Sequence, residues 1–185
     1  SVRWWPNSWD YINSVDNYAT IAAKHGINCA PVFGFTHVPT SASDSTSMEK
    51  KVREIIRYFR GDERIIMWDI WNEPVMSGED CRDQMKWIRI IAQWCREEGC
   101  TQAITSSILW DPENSAAKEN AYTSVRREAE KEMDLHNFHD YVMQESHSAN
   151  ITYVMNRFKK IDNRPLVCTE CLTRPDGSGM AITLS

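Results

Sequence analysis

Short apolar runs alternate with amphipathic stretches along this chain, and that alternation limits its possible folds more than any other feature. "INCAPVFGF" (27–35), "RIIMWDIW" (64–71), "QAITSSILW" (102–110) and "RPLVCTE" (164–170) read as buried strands, and "MDLHNF" (133–138) as a weaker one. Between them the apolar period lengthens to that of a helix. Residues 14–25 place Val15, Tyr18, Ile21 and Ala22 on one face, with Ser14 as cap and Gly26 as stop. A Ser/Thr/Pro-rich loop is expected over 36–47, then a helix over 47–59 with Met48, Val52, Ile55, Ile56 and Phe59 as its stripe. A long helix over 79–99 stops at Gly99, 113–132 is polar but helix-prone, and 148–161 reads as helix. "SVRWW" at the start has the look of one more strand's tail. Alternation of this kind implies a parallel sheet with right-handed crossovers.

Two architectures fit: an open doubly wound sheet or a (β/α)8 barrel. A nucleotide-binding sheet should carry a glycine-rich phosphate loop after an early strand, and none of the seven glycines forms one. A net charge of −5 with no basic stripe argues against nucleic acid. The apolar stretches fall short of the roughly 18–20 residues that span a bilayer. With 185 residues, 42% of them hydrophobic, the chain reads as one globular unit, residues 1–185. No leader pattern of charged then apolar residues is visible at residue 1. Of the six cysteines, Cys168 and Cys171 alone have CxxC spacing, but they flank Glu170 with no second pair to complete four ligands; the cysteines read as free buried thiols, with a Cys95–Cys100 or Cys81–Cys100 bridge left open for an oxidising compartment. No carboxylate-rich loop with calcium-binding spacing appears, so no metal and no cofactor are expected.

The strand ends point to chemistry. A strand leaving a core ordinarily turns into solvent on Gly, Asp or Ser; "IIMWDIWNEP" ends instead on Trp71, Asn72, Glu73 and Pro74. The other runs end in kind: Arg3 with Trp4 and Trp5; Phe33 and Phe35, with His37 beyond; Ser106, Ser107 and Trp110; His136, Asn137 and Phe138; Glu170. In a barrel these ends form the floor of the active site. Two carboxylates on one rim suit glycosidic cleavage, where one carboxyl donates a proton and the other attacks the anomeric carbon or activates water. Tryptophans such as Trp68, Trp71 and Trp4 or Trp5 suit a sugar, whose C–H faces stack on rings, whereas Trp87 and Trp94 read as packing residues on their helix.

"IIMWDIWNEP" resembles the fourth strand of clan A glycoside hydrolases, whose Asn-Glu-Pro carries the general acid/base. "RPLVCTE" resembles their seventh strand, ending in the nucleophilic glutamate. "VRWWP" is similar to the second strand with its arginine, "INCAPVFGF" to the third and "LHNF" to the sixth. The nearest likeness is to cellulase-like, family-five-type (β/α)8 barrels, including bacterial proteins labelled β-xylanase or β-mannosidase. The resemblance implies a retaining hydrolase of β-linked oligo- or polysaccharides of the mannan, glucan or xylan class. It implies Glu73 as acid/base, Glu170 as nucleophile, and Arg3 holding Glu170 ionised. Asn72 would bind the sugar 2-hydroxyl and His136 would line the subsite; Trp71, Trp110 and Tyr141 join them as candidate substrate-binding residues. Secretion or a periplasmic location also follows from the likeness, with a saccharide as the partner and no nucleic acid, membrane or obligate protein partner.

The chain departs from that pattern in two ways. The sixth-strand motif is usually His-x-Tyr, and Phe138 takes the tyrosine's place, leaving Tyr141 or His139 to supply a donor. Strands one and eight have no counterpart, so about six of eight strands are expected, as a partial catalytic domain. The alternatives are an inactive carbohydrate-binding or scaffold homologue of the same barrel, and a nucleotide-dependent α/β enzyme.

Overall fold

The computed structural model describes residues 1–7, 9–75, 78–107, 123–140, 152–156, 158 and 162–171. Strand and helix alternate in it as β1 (Val2–Trp4), α1 (Tyr11–Ala23), β2 (Cys29–Pro31), α2 (Ala42–Phe59), β3 (Met67–Asn72), α3 (Gly78–Glu97), β4 (Ala103–Ser107), α4 (Thr123–Glu130), β5 (His136–Asp140) and β6 (Leu166–Cys171). Residues 152–156, between β5 and β6, are helical as well.

The strands pair in parallel as β1 with β2, β3 with β4, and β5 with β6. Parallel bridges Cys29–Ile65 and Val32–Asp69 link β2 to β3. Asp134 joins β4 to β5: its N–H donates to Ile104 O at 2.8 Å, and Ile104 N–H donates to its Oδ2 at 2.7 Å. A carboxylate thus stands in for backbone where the weak strand fails to begin at residue 133. The chain is therefore α/β with parallel strand pairs following one another in chain order. Among the described residues the strands do not close into a barrel.

The core lies between strands and helices. Trp68, Ile70, Trp71 and Ile104 from the strands pack with Val52, Ile55, Ile56 and Phe59 of α2 and Met85, Ile88 and Ile91 of α3. The α2 residues follow the i, i+3, i+4, i+7 spacing of one buried stripe. This helix starts at Ala42, five residues before its expected start at 47, because Ser41 caps it: its Oγ accepts from Asp44 N at 3.1 Å. Helix α1 likewise starts early, at Tyr11, whose buried hydroxyl donates to Val32 O at 2.9 Å and ties the helix to the chain beyond β2. Ser14 is not its cap; Ser14 Oγ accepts from Asn7 N at 3.0 Å. Trp87 and Trp94 lie partly buried against the core as expected. Cys29, Cys81, Cys95, Cys100 and Cys168 are free thiols, and burial pushes Cys100 up to about 11.

Candidate active site: two glutamates bridged by a histidine

Arg3 enters from β1 with only 8% of its side chain exposed. Its Nε donates to Asp69 Oδ2 at 2.9 Å, one terminal nitrogen to Glu170 Oε1 at 2.5 Å, and the other to Asn72 Oδ1 at 2.5 Å. A planar fork of donors makes this triple contact; an ammonium could not. Asp69 is fully buried in β3, and Arg3 supplies its countercharge.

Two β-bulges bring these partners together. Between the pairs Asp69–Thr105 and Asn72–Ser107, β3 advances three residues against two on β4. Strict alternation would turn Asp69 and Trp71 to one face and Asn72 to the other. The extra residue reverses the parity, so Asn72 joins Asp69 on Arg3 and Trp71 turns into the core. On β6 the pairs Phe138–Cys168 and His139–Glu170 enclose one extra residue. Consecutive side chains Thr169 and Glu170 consequently both reach the site: Thr169 Oγ1 donates to Asn137 Oδ1 at 2.6 Å, and Glu170 meets Arg3.

Glu73 follows directly, with φ at +41°. Pro74 behind it disfavours the right-handed helical region, and a left-handed backbone at a residue other than glycine costs about 1–3 kcal/mol. The contact that this conformation makes is with the imidazole of His139: Nδ1 lies 2.6 Å from Glu73 Oε1. His139 is fully buried, and its Nε2 stands 3.1 Å from Thr169 Oγ1 and 3.7 Å from Glu170 Oε1. The two glutamates stay partly open, at 37% and 28% side-chain exposure. The carboxylate and imidazole atoms of Glu73, His139 and Glu170 all lie within 4.8 Å of one another. Three such ligand atoms could hold a cation, but Arg3 already places one on Glu170.

Of the residues singled out in the sequence, Arg3, Asn72, Glu73 and Glu170 come together here. Two do not. Trp71 is 1% exposed and packs beside Phe35, with ring centroids 6.4 Å apart; Trp68 is buried with Phe33 and Phe59. His136 points out of the site. Its Nε2 lies 2.8 Å from Asp162 Oδ1 and its ring 4.5 Å from that of Phe158, on the side where Phe138 packs with Val154. Period-2 alternation explains this: Asn137 and His139 share one face of β5, His136 and Phe138 the other. Trp110 and Tyr141 lie outside the described residues. Sequence reasoning undervalued His139, named Asn137 only as a strand-end residue, and passed over Asp69 and Thr169. The signal for His139 was present, since His139-Asp140-Tyr141 has the His-x-Tyr spacing three residues beyond the stretch first matched to it.

At the rim, Trp5 is 49% exposed, and the Arg3 guanidinium carbon lies 5.7 Å from its ring centroid. Gly34, at φ +72°, lies beneath the ring; a Cβ there would stand 3.9 Å from Trp5 Cε3. Trp4 instead stacks on Tyr18 of α1, centroids 4.5 Å apart.

No family model matches the chain, and no curated protein matches it. Solved structures of glycoside hydrolases do resemble it. A β-1,4-mannanase from the common sea hare Aplysia kurodai is 16% identical over 75% of this chain and 52% of its own, with a TM-score of 0.50. A calcium-binding mutant of Bacteroides uniformis β-glucuronidase 2 is 13% identical over 83% of this chain and 19% of its own, at 0.61. The Ruminococcus gnavus β-glucuronidase is 14% identical over 92% and 30%, at 0.56. The chain thus spans about half the length of the mannanase and less than a third of either glucuronidase. At such identities the likeness is one of fold.

Proposed function

We propose that the chain is part of a retaining glycoside hydrolase that cleaves β-linked glycosidic bonds in oligo- or polysaccharides. Its scaffold is a (β/α)8 barrel of the clan A, cellulase-like kind, of which residues 1–185 form a partial catalytic domain. The observation that carries this reading is the pair Glu73 and Glu170: reactive oxygens within 4.8 Å, one against a guanidinium and the other against an imidazole. That separation suits the roughly 5–5.5 Å of a retaining pair and not the roughly 6.5–9.5 Å that admits a water for inversion.

In this reading Glu170, kept anionic by Arg3, attacks the anomeric carbon. Glu73 gives its proton to the leaving oxygen, then takes one from the water that opens the glycosyl-enzyme. Asn72 is held by Arg3 beside Glu73 and binds the 2-hydroxyl. Of the tryptophans expected to stack on sugar, Trp5, exposed at the rim, takes that role. Trp110 and Tyr141 are proposed to complete the subsite.

The test is a panel of β-linked mannan, glucan and xylan oligosaccharides, with the anomer of the first product read by NMR. The β-anomer is expected. An α-anomer removes the double-displacement mechanism. Saccharide binding without turnover makes the chain a carbohydrate-binding homologue instead.

A further inference from the structure

We infer that Glu73 and His139 share a single proton, and that His139 is the positioning residue that keeps it available to the glycosidic oxygen. This rests on the reading of Glu73 as the acid. The inference comes from counting donors along the buried chain that ends at Glu73.

Asn137 is buried, with Nδ2 turned to Asp69 Oδ2 at 3.5 Å and Oδ1 to Thr169 Oγ1 at 2.6 Å. The reverse orientation would press Oδ1 against a buried carboxylate, acceptor on acceptor. The Thr169 hydroxyl therefore gives its one hydrogen to Asn137. Toward His139 Nε2, 3.1 Å away, Thr169 Oγ1 is left as an acceptor, so Nε2 carries a hydrogen. A neutral imidazole has one N–H, which leaves Nδ1 bare. Yet Nδ1 stands 2.6 Å from Glu73 Oε1, and two bare acceptors repel at that distance. A proton lies between them: either a carboxylic acid donates to Nδ1, or an imidazolium donates to a carboxylate. Both states contain the same proton.

The surrounding charges agree. Glu170 from β6 faces the pair, and the Arg3 guanidinium from β1 joins it to Asp69 of β3. An ionised Glu73 beside a neutral His139 would set three carboxylates against that guanidinium; the shared proton removes one negative charge. During cleavage the proton passes to the glycosidic oxygen as that oxygen leaves the anomeric carbon and Glu170 bonds to it, leaving Glu73 ionised and His139 with its Nε2 hydrogen. Water then adds its hydroxyl to the anomeric carbon as the bond to Glu170 breaks, and its proton returns to the pair.

Nitrogen-15 NMR of histidine-labelled full-length protein near neutral pH reads the count directly. His139 Nε2 should be protonated, with a far-downfield proton between Nδ1 and Glu73 that vanishes in Glu73→Gln. A bare Nε2 with the hydrogen on Nδ1 overturns the inference. A kinetic arm uses His139→Gln: cleavage of alkyl β-glycosides should fall about 100-fold or more, the usual reach of general acid catalysis, while dinitrophenyl glycosides lose less than about tenfold. The alkaline limb of kcat/KM should move to lower pH, and an unmoved limb also overturns the inference. If the unaltered protein cleaves no glycoside, the proposed function fails while the NMR result still decides the proton.

Discussion

Arg3 and Glu170 stand 167 positions apart in the chain and 2.5 Å apart in space. One guanidinium thereby ties the first described strand to the last and neutralises the buried Asp69 on the way. Replacing Arg3 by Met should cost about 3–5 kcal/mol, because Asp69 is left as an uncompensated charge in the interior. Arg3→Met combined with Asp69→Leu should recover much of that loss. Urea unfolding of the two variants checks it; equal losses in the single and double variants would show that the two charges are not coupled.

The tryptophans should divide into two kinds. Trp71→Ala opens a hole in the core and should cost about 3–5 kcal/mol. Trp5→Ala removes a half-exposed ring and should change stability by less than about 0.5 kcal/mol. An aromatic contact is worth about 0.5–1.5 kcal/mol, so the same Trp5 change should raise KM for the best saccharide roughly 2- to 12-fold. A KM that stays put while the protein destabilises would make Trp5 a packing residue like Trp71.

The distribution of these residues shows what the sequence could and could not reveal. The alternation of strand and helix was legible because apolar periods of 2 and 3.6 persist over whole elements, as in the Val52–Phe59 stripe of α2. The start of α2 was not, because Ser41 and Asp44 sit in a Ser/Thr-rich stretch that also reads as loop. Glu73 and Glu170 were legible as carboxylates closing apolar runs. The aiming of their neighbours was not, because it depends on two bulges. Each inserts one residue, and one residue reverses which side chain faces the site, so Asn72 took the place alternation assigns to Trp71. Asp69, inside an apolar run, was a visible sign that a buried countercharge was needed, but only the fold identifies that charge as Arg3.

Stability should fall on acidification even where catalysis is not involved. Arg164 hydrogen-bonds Asp162 and holds its carboxyl well below the usual range, with His136 adding to the effect. That stabilisation is present above the ordinary aspartate value, about 3.9, and is lost as pH falls toward the depressed one. Burial pushes the His136 imidazole down, against the pull of Asp162, so the fold favours its neutral form. This contribution is full above about 6.5 and declines below it. Melting temperature should therefore drop steadily from about pH 6.5 downward. Asp162→Asn should cost about 1 kcal/mol or less at pH 7, since the carboxylate is partly exposed and screened. The gap between variant and parent should narrow below about pH 4, and a constant gap would assign the loss to packing.

Glu73 and Glu170 should not be interchangeable. Glu170 meets Arg3, an arrangement that favours the carboxylate needed for attack, whereas Glu73 meets the imidazole of His139. Glu170→Gln should abolish glycosyl-enzyme formation with every substrate, including those with activated leaving groups, since no nucleophile remains. Glu73→Gln should spare that first step for a dinitrophenyl β-glycoside, whose leaving group needs no proton, while slowing breakdown of the intermediate about 100-fold or more for lack of a base. Rapid mixing with such a glycoside separates the two: the Glu73 variant should release a burst of dinitrophenolate equal to the enzyme present, and the Glu170 variant none. A burst from the Glu170 variant alone would reverse the two roles.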